Sequence, residues 1–187
     1  MDNKLSFKDH IKHINGKISR HTGILYKIRY NLPMKARLDY YYAFIYPYLS
    51  YNIIIWGSTF ETHLLPLITQ HKRTIRTITG AGYRDHTDPL FRRLKLLKLQ
   101  DIYYFHLGTY MFRARSRGEF ATQTNIETRR LNDALPARHL LATTQHAVSF
   151  AGPNFWNTLP PNIRSINTYT RFRKSLKEHL LNQYTEN

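Results

Sequence analysis

Between Leu38 and Gly80 the chain sets its most apolar run directly before a cationic helical pattern, and this limits what it can fold into. The run reads Leu-Asp-Tyr-Tyr-Tyr-Ala-Phe-Ile-Tyr-Pro-Tyr-Leu-Ser-Tyr from Leu38, continues through Ile53-Ile54-Ile55-Trp56-Gly57, and gives way to a basic segment ending at Gly80. Residues this apolar need burial and charges need water, so the pattern predicts a core that displays cations. Leu38 to Trp56 is also about the length that spans a bilayer. It carries Asp39, Pro47, Ser50, Asn52 and six tyrosines, which make spanning costly and favour a buried helix with no membrane partner.

The flanking stretches are helical by period. Phe7, Ile11, Ile14, Ile18, Leu25, Ile28 and Leu32 recur at steps of four and three, with His21 filling the gap. Ser6 is placed to cap this helix, Asp9 suits its positive end, and Gly16 and Gly23 open the option of two shorter helices. Pro33 fits the first position of a second helix, with Met34, Leu38, Tyr41, Tyr42, Ile45 and Leu49 facing one way and a bend near Ala43 caused by Pro47. Tyr51 to Trp56 has strand propensity, but its continuity with the preceding pattern favours helix. A third helix is predicted from Glu61 to Thr79, with Leu64, Ile68, His71, Ile75 and Ile78 inward and Gly80 as its cap.

Asp88-Pro89 reads as a cap and first-turn proline, followed by an apolar side of Leu90, Phe91, Leu94, Leu97 and Ile102. A further helix through Tyr103 and Phe112 ends at Arg117-Gly118. The pattern then breaks down, which predicts a helical bundle over 1–118, a linker over 119–146 and an appendage over 147–187. Within the appendage Ala147 to Phe150 reads as a short strand or hairpin, Gly152 to Pro161 as irregular and turn-rich, and Thr168 to Tyr184 as a terminal helix. The predicted fold class is mainly α.

Charge narrows the partners. The chain has 28 Lys and Arg against 12 Asp and Glu, a formal +16, which self-repels unless it meets a polyanion. Lys72, Arg73 and Arg76 share a flank of the third helix, and Arg84, Arg92, Arg93, Lys95, Arg113 and Arg115 follow. Together these are the candidate phosphate contacts for a nucleic-acid duplex or RNA–DNA hybrid, read without sequence preference. Cations at a helix C-terminus also serve its dipole, and a charged flank can be merely solvated. Tyr83-Arg84 and Tyr103-Tyr104 are candidates for base stacking, while most of the 14 tyrosines should be core residues with their hydroxyls at its edge.

No chemistry of reaction is evident. The chain has no cysteine, no Gly-x-Ser-x-Gly elbow and no glycine-rich phosphate loop. Asp85 with Asp88 is the closest acidic pair, and Asp88 is better explained as a cap; His10 and His13 lack a third ligand. No catalytic or metal-ligating residue is assigned. The N-terminus lacks the pattern of a signal peptide, which predicts an intracellular protein, nuclear or cytoplasmic.

An ordered series of motifs carries a resemblance. Lys8-Asp9-His10-Ile11, Leu38 to Tyr51 with Trp56-Gly57, Lys72-Arg73-Thr74-Ile75-Arg76, Asp88-Pro89-Leu90-Phe91, Thr128-Arg129, Gly152-Pro153-Asn154-Phe155-Trp156-Asn157-Thr158-Leu159-Pro160, and Phe172-Arg173-Lys174-Ser175-Leu176-Lys177 resemble the C-terminal part of non-LTR retrotransposon reverse transcriptases, jockey-like ones in particular. The resemblance implies a polymerase thumb and the region beyond it, holding template and primer and docking on a palm domain. It also implies a parent RNA-directed DNA polymerase that uses Mg, its aspartates lying in a Tyr-Ala-Asp-Asp type motif that this chain lacks. Hence no cofactor is expected in this chain, and no catalysis by it alone. Asn52 stands where glycine is usual after the tyrosine, and His71 where glutamine is usual before the basic pair. The alternative is a non-catalytic helical interaction protein retained by a host.

Overall fold

The apolar stripes find partners in a mainly α helical bundle. The computed structural model describes residues 7–119 and 148–184. Among these residues there are ten helices and no strand: α1 Lys8–Ile28, α2 Met34–Phe44, α3 Tyr46–Ser50, α4 Ile53–Trp56, α5 Glu61–Thr79, α6 Asp88–Leu94, α7 Leu99–Ser116, α8 Val148–Thr158, α9 Pro161–Arg164 and α10 Tyr169–Leu181. Ser6, Thr128-Arg129 and nearly all of the linker at 119–146 lie outside the described residues.

α1 and α5 form the most extensive helix pair. α1 is a single helix despite Gly16 and Gly23, because burial of Ile11, Ile14, Ile18 and Leu25 outweighs a propensity cost of about 1 kcal/mol per glycine. The gap in its stripe is filled by Thr22 rather than His21. The Thr22 hydroxyl lies 2.7 Å from that of Thr74 on α5, and each is within bonding distance of a carbonyl one turn back, so one hydroxyl donates to its carbonyl while accepting from the other and the polar pair is satisfied inside the interface. His21 turns toward α2, where it lies 3.1 Å from the Tyr40 hydroxyl and stacks on Phe44.

α5 has the bounds its sequence predicts, and Gly80 closes it at φ 73° with its N–H donated to the Arg76 carbonyl. His71 is buried at 1% exposure, as its place in the stripe requires. Pro47 breaks the second helix instead of bending it: α2 stops at Phe44, Ile45 departs to φ −116°, and α3 restarts at Tyr46. Tyr51 to Trp56 forms no strand. Asn52 adopts φ 48° and opens the short α4. That left-handed conformation explains why glycine suits this place and why asparagine, the next most tolerant residue, can stand there.

Trp56 and Gly57 lock the turn that follows. The indole N–H donates to the Tyr51 carbonyl at 2.9 Å, and a Cβ on Gly57 would lie 2.6 Å from the Ile53 carbonyl oxygen and 2.8 Å from the Tyr103 ring. Asp88 is the first residue of α6 rather than its cap. Its carboxylate accepts the Lys98 ammonium at 2.6 Å.

The largest departure is at 148–158, where neither strand nor irregular chain occurs. α8 runs through Gly152-Pro153 and continues to Thr158. Gly152 lies so close to α7 that a Cβ would be 2.5 Å from the Met111 sulfur, and Gly108 on α7 would meet Leu176 at 2.7 Å and Phe155 at 3.0 Å. These glycines permit close helix packing, so their turn signal is overridden by tertiary contact. Trp156 is fully buried and stacks on Phe172 at 5.6 Å, which stacks in turn on Phe112 at 4.7 Å. Leu159 is buried beside them and Pro160 precedes α9.

α8 and α10 both pack on α7, and one buried apolar cluster runs from Ile11 to Tyr184. Tyr184 fastens the chain's later part to its middle, accepting the Lys98 backbone N–H at 2.9 Å and donating to Asp101 at 2.5 Å. Burial, with that carboxylate alongside, drives the Tyr184 phenol far above its usual range.

Candidate nucleic-acid interface

Where the C-terminal ends of α1 and α5 meet, a cleft of ≈ 500 Å³ is lined by Tyr26, Arg29, Tyr30, Arg37, Arg73, Arg76, Thr77, Gly80, Ala81 and Tyr83. Four arginines and three tyrosines face it, and its lining holds no carboxylate side chain. Such a lining concentrates positive potential in a concave surface, the arrangement that attracts and orients phosphate.

The cations differ in role. The Arg29 guanidinium lies over two rings, 3.5 Å from the Tyr26 centroid and 4.2 Å from that of Tyr30, and donates to the Tyr26 carbonyl and the Tyr30 hydroxyl. This holds a cation against two aromatic faces of the lining. Arg37 reaches in from α2, and its buried Nε finds no hydrogen-bond partner among the described residues. Arg73 is exposed on α5.

Arg76 is largely spoken for. Its Nε and one terminal nitrogen donate to the Asp85 carbonyl at 3.0 and 2.8 Å, while the Asp85 carboxylate accepts the Gly82 N–H at 2.7 Å. Arg76 therefore clamps the loop that carries Tyr83, which is 86% exposed, and Arg84.

Only some of the sequence-derived phosphate contacts line this cleft. Arg73 and Arg76 line the cleft; Lys72, Arg92 and Arg93 are outside its lining, with the latter two exposed on α6. Lys95 sits past the end of α6, near enough to Lys177 on α10 for their charges to repel. Arg113 lies 4.7 Å over Tyr169, and Arg115 donates to the Arg164 carbonyl, so both face the C-terminal helices. Conversely, Arg29, Arg37, Tyr26 and Tyr30 were not singled out in the sequence. Their shared signal is the run of arginine and tyrosine flanking the break at Pro33, which the helical stripe of α1 obscures.

Of the proposed stacking residues, Tyr83 is free to present its ring to a base. Tyr103 is not: it is buried, and desolvation pushes its phenol up to about 12. Tyr104 already stacks on Phe155 at 4.9 Å. The acidic pair is divided, Asp85 serving its loop and Asp88 serving Lys98. Among the described residues no three His, Asp or Glu gather where they would hold a metal ion. Nor is any described helix long and apolar enough to cross a membrane.

Comparison with known proteins gives one informative match. The chain is 29% identical over 105 residues to the RNA-directed DNA polymerase from the mobile element jockey of Drosophila melanogaster. This chain carries a reverse-transcriptase-related segment. The match covers 54% of the chain and 11% of that polymerase, so the chain spans about a tenth of the relative's length. No family model matches the chain, and no solved structure matches it.

Proposed function

We propose that the chain is the thumb and downstream region of a non-LTR, jockey-like reverse transcriptase, and that it holds template and primer through the cleft between α1, α2 and α5. The observation that carries this is the cleft itself, cationic and aromatic with no acidic side chain in its lining. The similarity to a polymerase supports nucleic acid as the polyanion. Phosphates would meet Arg29, Arg37 and Arg73, and an unpaired base at the end of a strand would stack on Tyr83 or Tyr30.

Under this reading the chain binds without reacting. Nucleotide addition, with its Mg ions, belongs to a palm domain on which the bundle docks. Arg76 acts indirectly, by setting the position of the Tyr83 loop.

The test is fluorescence anisotropy with a labelled RNA–DNA hybrid across a salt series. Three arginine–phosphate contacts contribute about 2.7 to the slope of log affinity against log salt, or about 40-fold between 50 and 200 mM. Replacing Arg29, Arg37 and Arg73 together by Gln should remove that much of the slope. A hybrid bound equally well by the triple variant, or not bound at all by the wild type, refutes the reading.

A further inference from the structure

The terminal helix α10 has a second cationic surface that the cleft does not include. Tyr169, Arg173 and Lys177 recur at every fourth residue and so form one row along the helix. The Tyr169 ring is flanked by two guanidiniums, Arg113 from α7 at 4.7 Å and Arg173 at 5.7 Å, and Arg173 also lies 5.4 Å from the Phe105 ring. Among the described residues none of Arg113, Arg173, Lys177 and Lys95 makes an ion pair. The carboxylate available on α10, Glu178, is turned to the other side, where it lines a separate hollow with Arg171 and His179.

Lys177 is only half-exposed, and burial with repulsion from Arg173 and Lys95 lowers its ammonium pKa. Lys95 adds a conformational cost, since it closes α6 at φ 52°, in the left-handed region where glycine is the usual choice. A surface that merely faced water would spread these charges, pair them with acids, or put glycine at that cap. Here they are gathered at some expense, which a bound polyanion would offset.

We propose that Arg113, Arg173, Lys177 and Lys95 form a second contact for a phosphodiester backbone, along the seam between α10 and α7. From Tyr169 to Lys177 the row is about 12 Å long, enough for about three successive phosphates of one strand. The strand lies along this seam without base contacts, so the recognition is of backbone charge. This surface shares no lining residue with the cleft, so a long nucleic acid engages both and a short one is held by either.

The experiment is the same salt-dependent anisotropy, with a labelled duplex long enough to wrap the protein. The Arg173→Gln, Lys177→Gln double variant should lose about 2 units of the salt slope while keeping the part removed by the Arg29, Arg37 and Arg73 substitutions. The variant Lys95→Gly should lose about 1 unit of slope and melt at a higher temperature than wild type, a combination that a purely structural lysine would not give. Unchanged slopes in both variants, with wild-type binding intact, overturn the second contact and leave the cleft standing. Equal affinity for a poly-glutamate chain of the same charge overturns the assignment to a phosphodiester.

Discussion

Acid should destabilise this protein through one buried imidazole, and replacing it should remove a defined share of the loss. His71 sits between Tyr41 and Phe91, its Nε2 3.0 Å from the Tyr41 hydroxyl, and desolvation lowers its pKa from 6.5 to about 3. The unfolded chain, with its imidazole near 6.5, therefore takes up a proton that the folded chain refuses. The stability tied to this difference is fully present above pH 6.5 and declines as pH falls toward 3. By linkage the loss is about 2 kcal/mol at pH 5 and about 4 kcal/mol at pH 3. In a chain of this size 2 kcal/mol corresponds to about 4–8 °C in Tm.

The variant His71→Gln cannot titrate and keeps a polar atom for the Tyr41 hydroxyl; glutamine is also the residue usual there in the resembled polymerases. Urea titrations at pH 8 and pH 5 on both proteins give the quantity needed, the difference between their two pH-dependent losses. His10 and His106, also lowered by burial, contribute in the same direction, and Asp101, raised by burial, in the opposite one; all are common to both proteins and cancel. The variant should lose about 2 kcal/mol less than wild type between the two pH values. If both lose the same amount, His71 is not held neutral in the core, and its contact with Tyr41 of α2 does not have this geometry.

Two further outcomes follow from backbone geometry. The variant Gly108→Ala places a methyl 2.7 Å from Leu176 and 3.0 Å from Phe155, and overpacking of this kind costs about 1–3 kcal/mol, measurable as a lower urea midpoint. Because Asn52 holds φ 48°, Asn52→Gly should be neutral or stabilising by up to about 1 kcal/mol, while Asn52→Val should destabilise by more than that, and thermal melts compare the two.

Local signals served well wherever they acted within a single turn. Gly80 ends α5 where it stands, because an L side chain is penalised at positive φ and glycine is not. Of the predicted stripe, Leu64, His71, Ile75 and Ile78 are buried, because helical period puts them on one face, while Ile68 is half-buried and Leu67 takes the inner place beside it. The same reasoning misread 148–158, since Gly-Pro is a strong turn signal and nothing local reveals that Gly152 will lie against Met111. Nor could it tell which tyrosines are core and which can stack: Tyr103, one of the stacking candidates, is packed against Gly57.

The candidate site divides in the same way. Excess positive charge is a property of composition, readable before any folding. Grouping of that charge is not, because a cation's neighbours across a helix pair depend on which residues separated by long stretches of chain come together. Arg73 on α5 meets Arg29 and Arg37 only once α1 and α2 have docked, and Arg113 meets Arg173 only once α10 lies on α7. Helices such as α1 and α5 are thus written in short-range periodicity, whereas α8 and the clefts and rows that select a ligand arise from long-range packing.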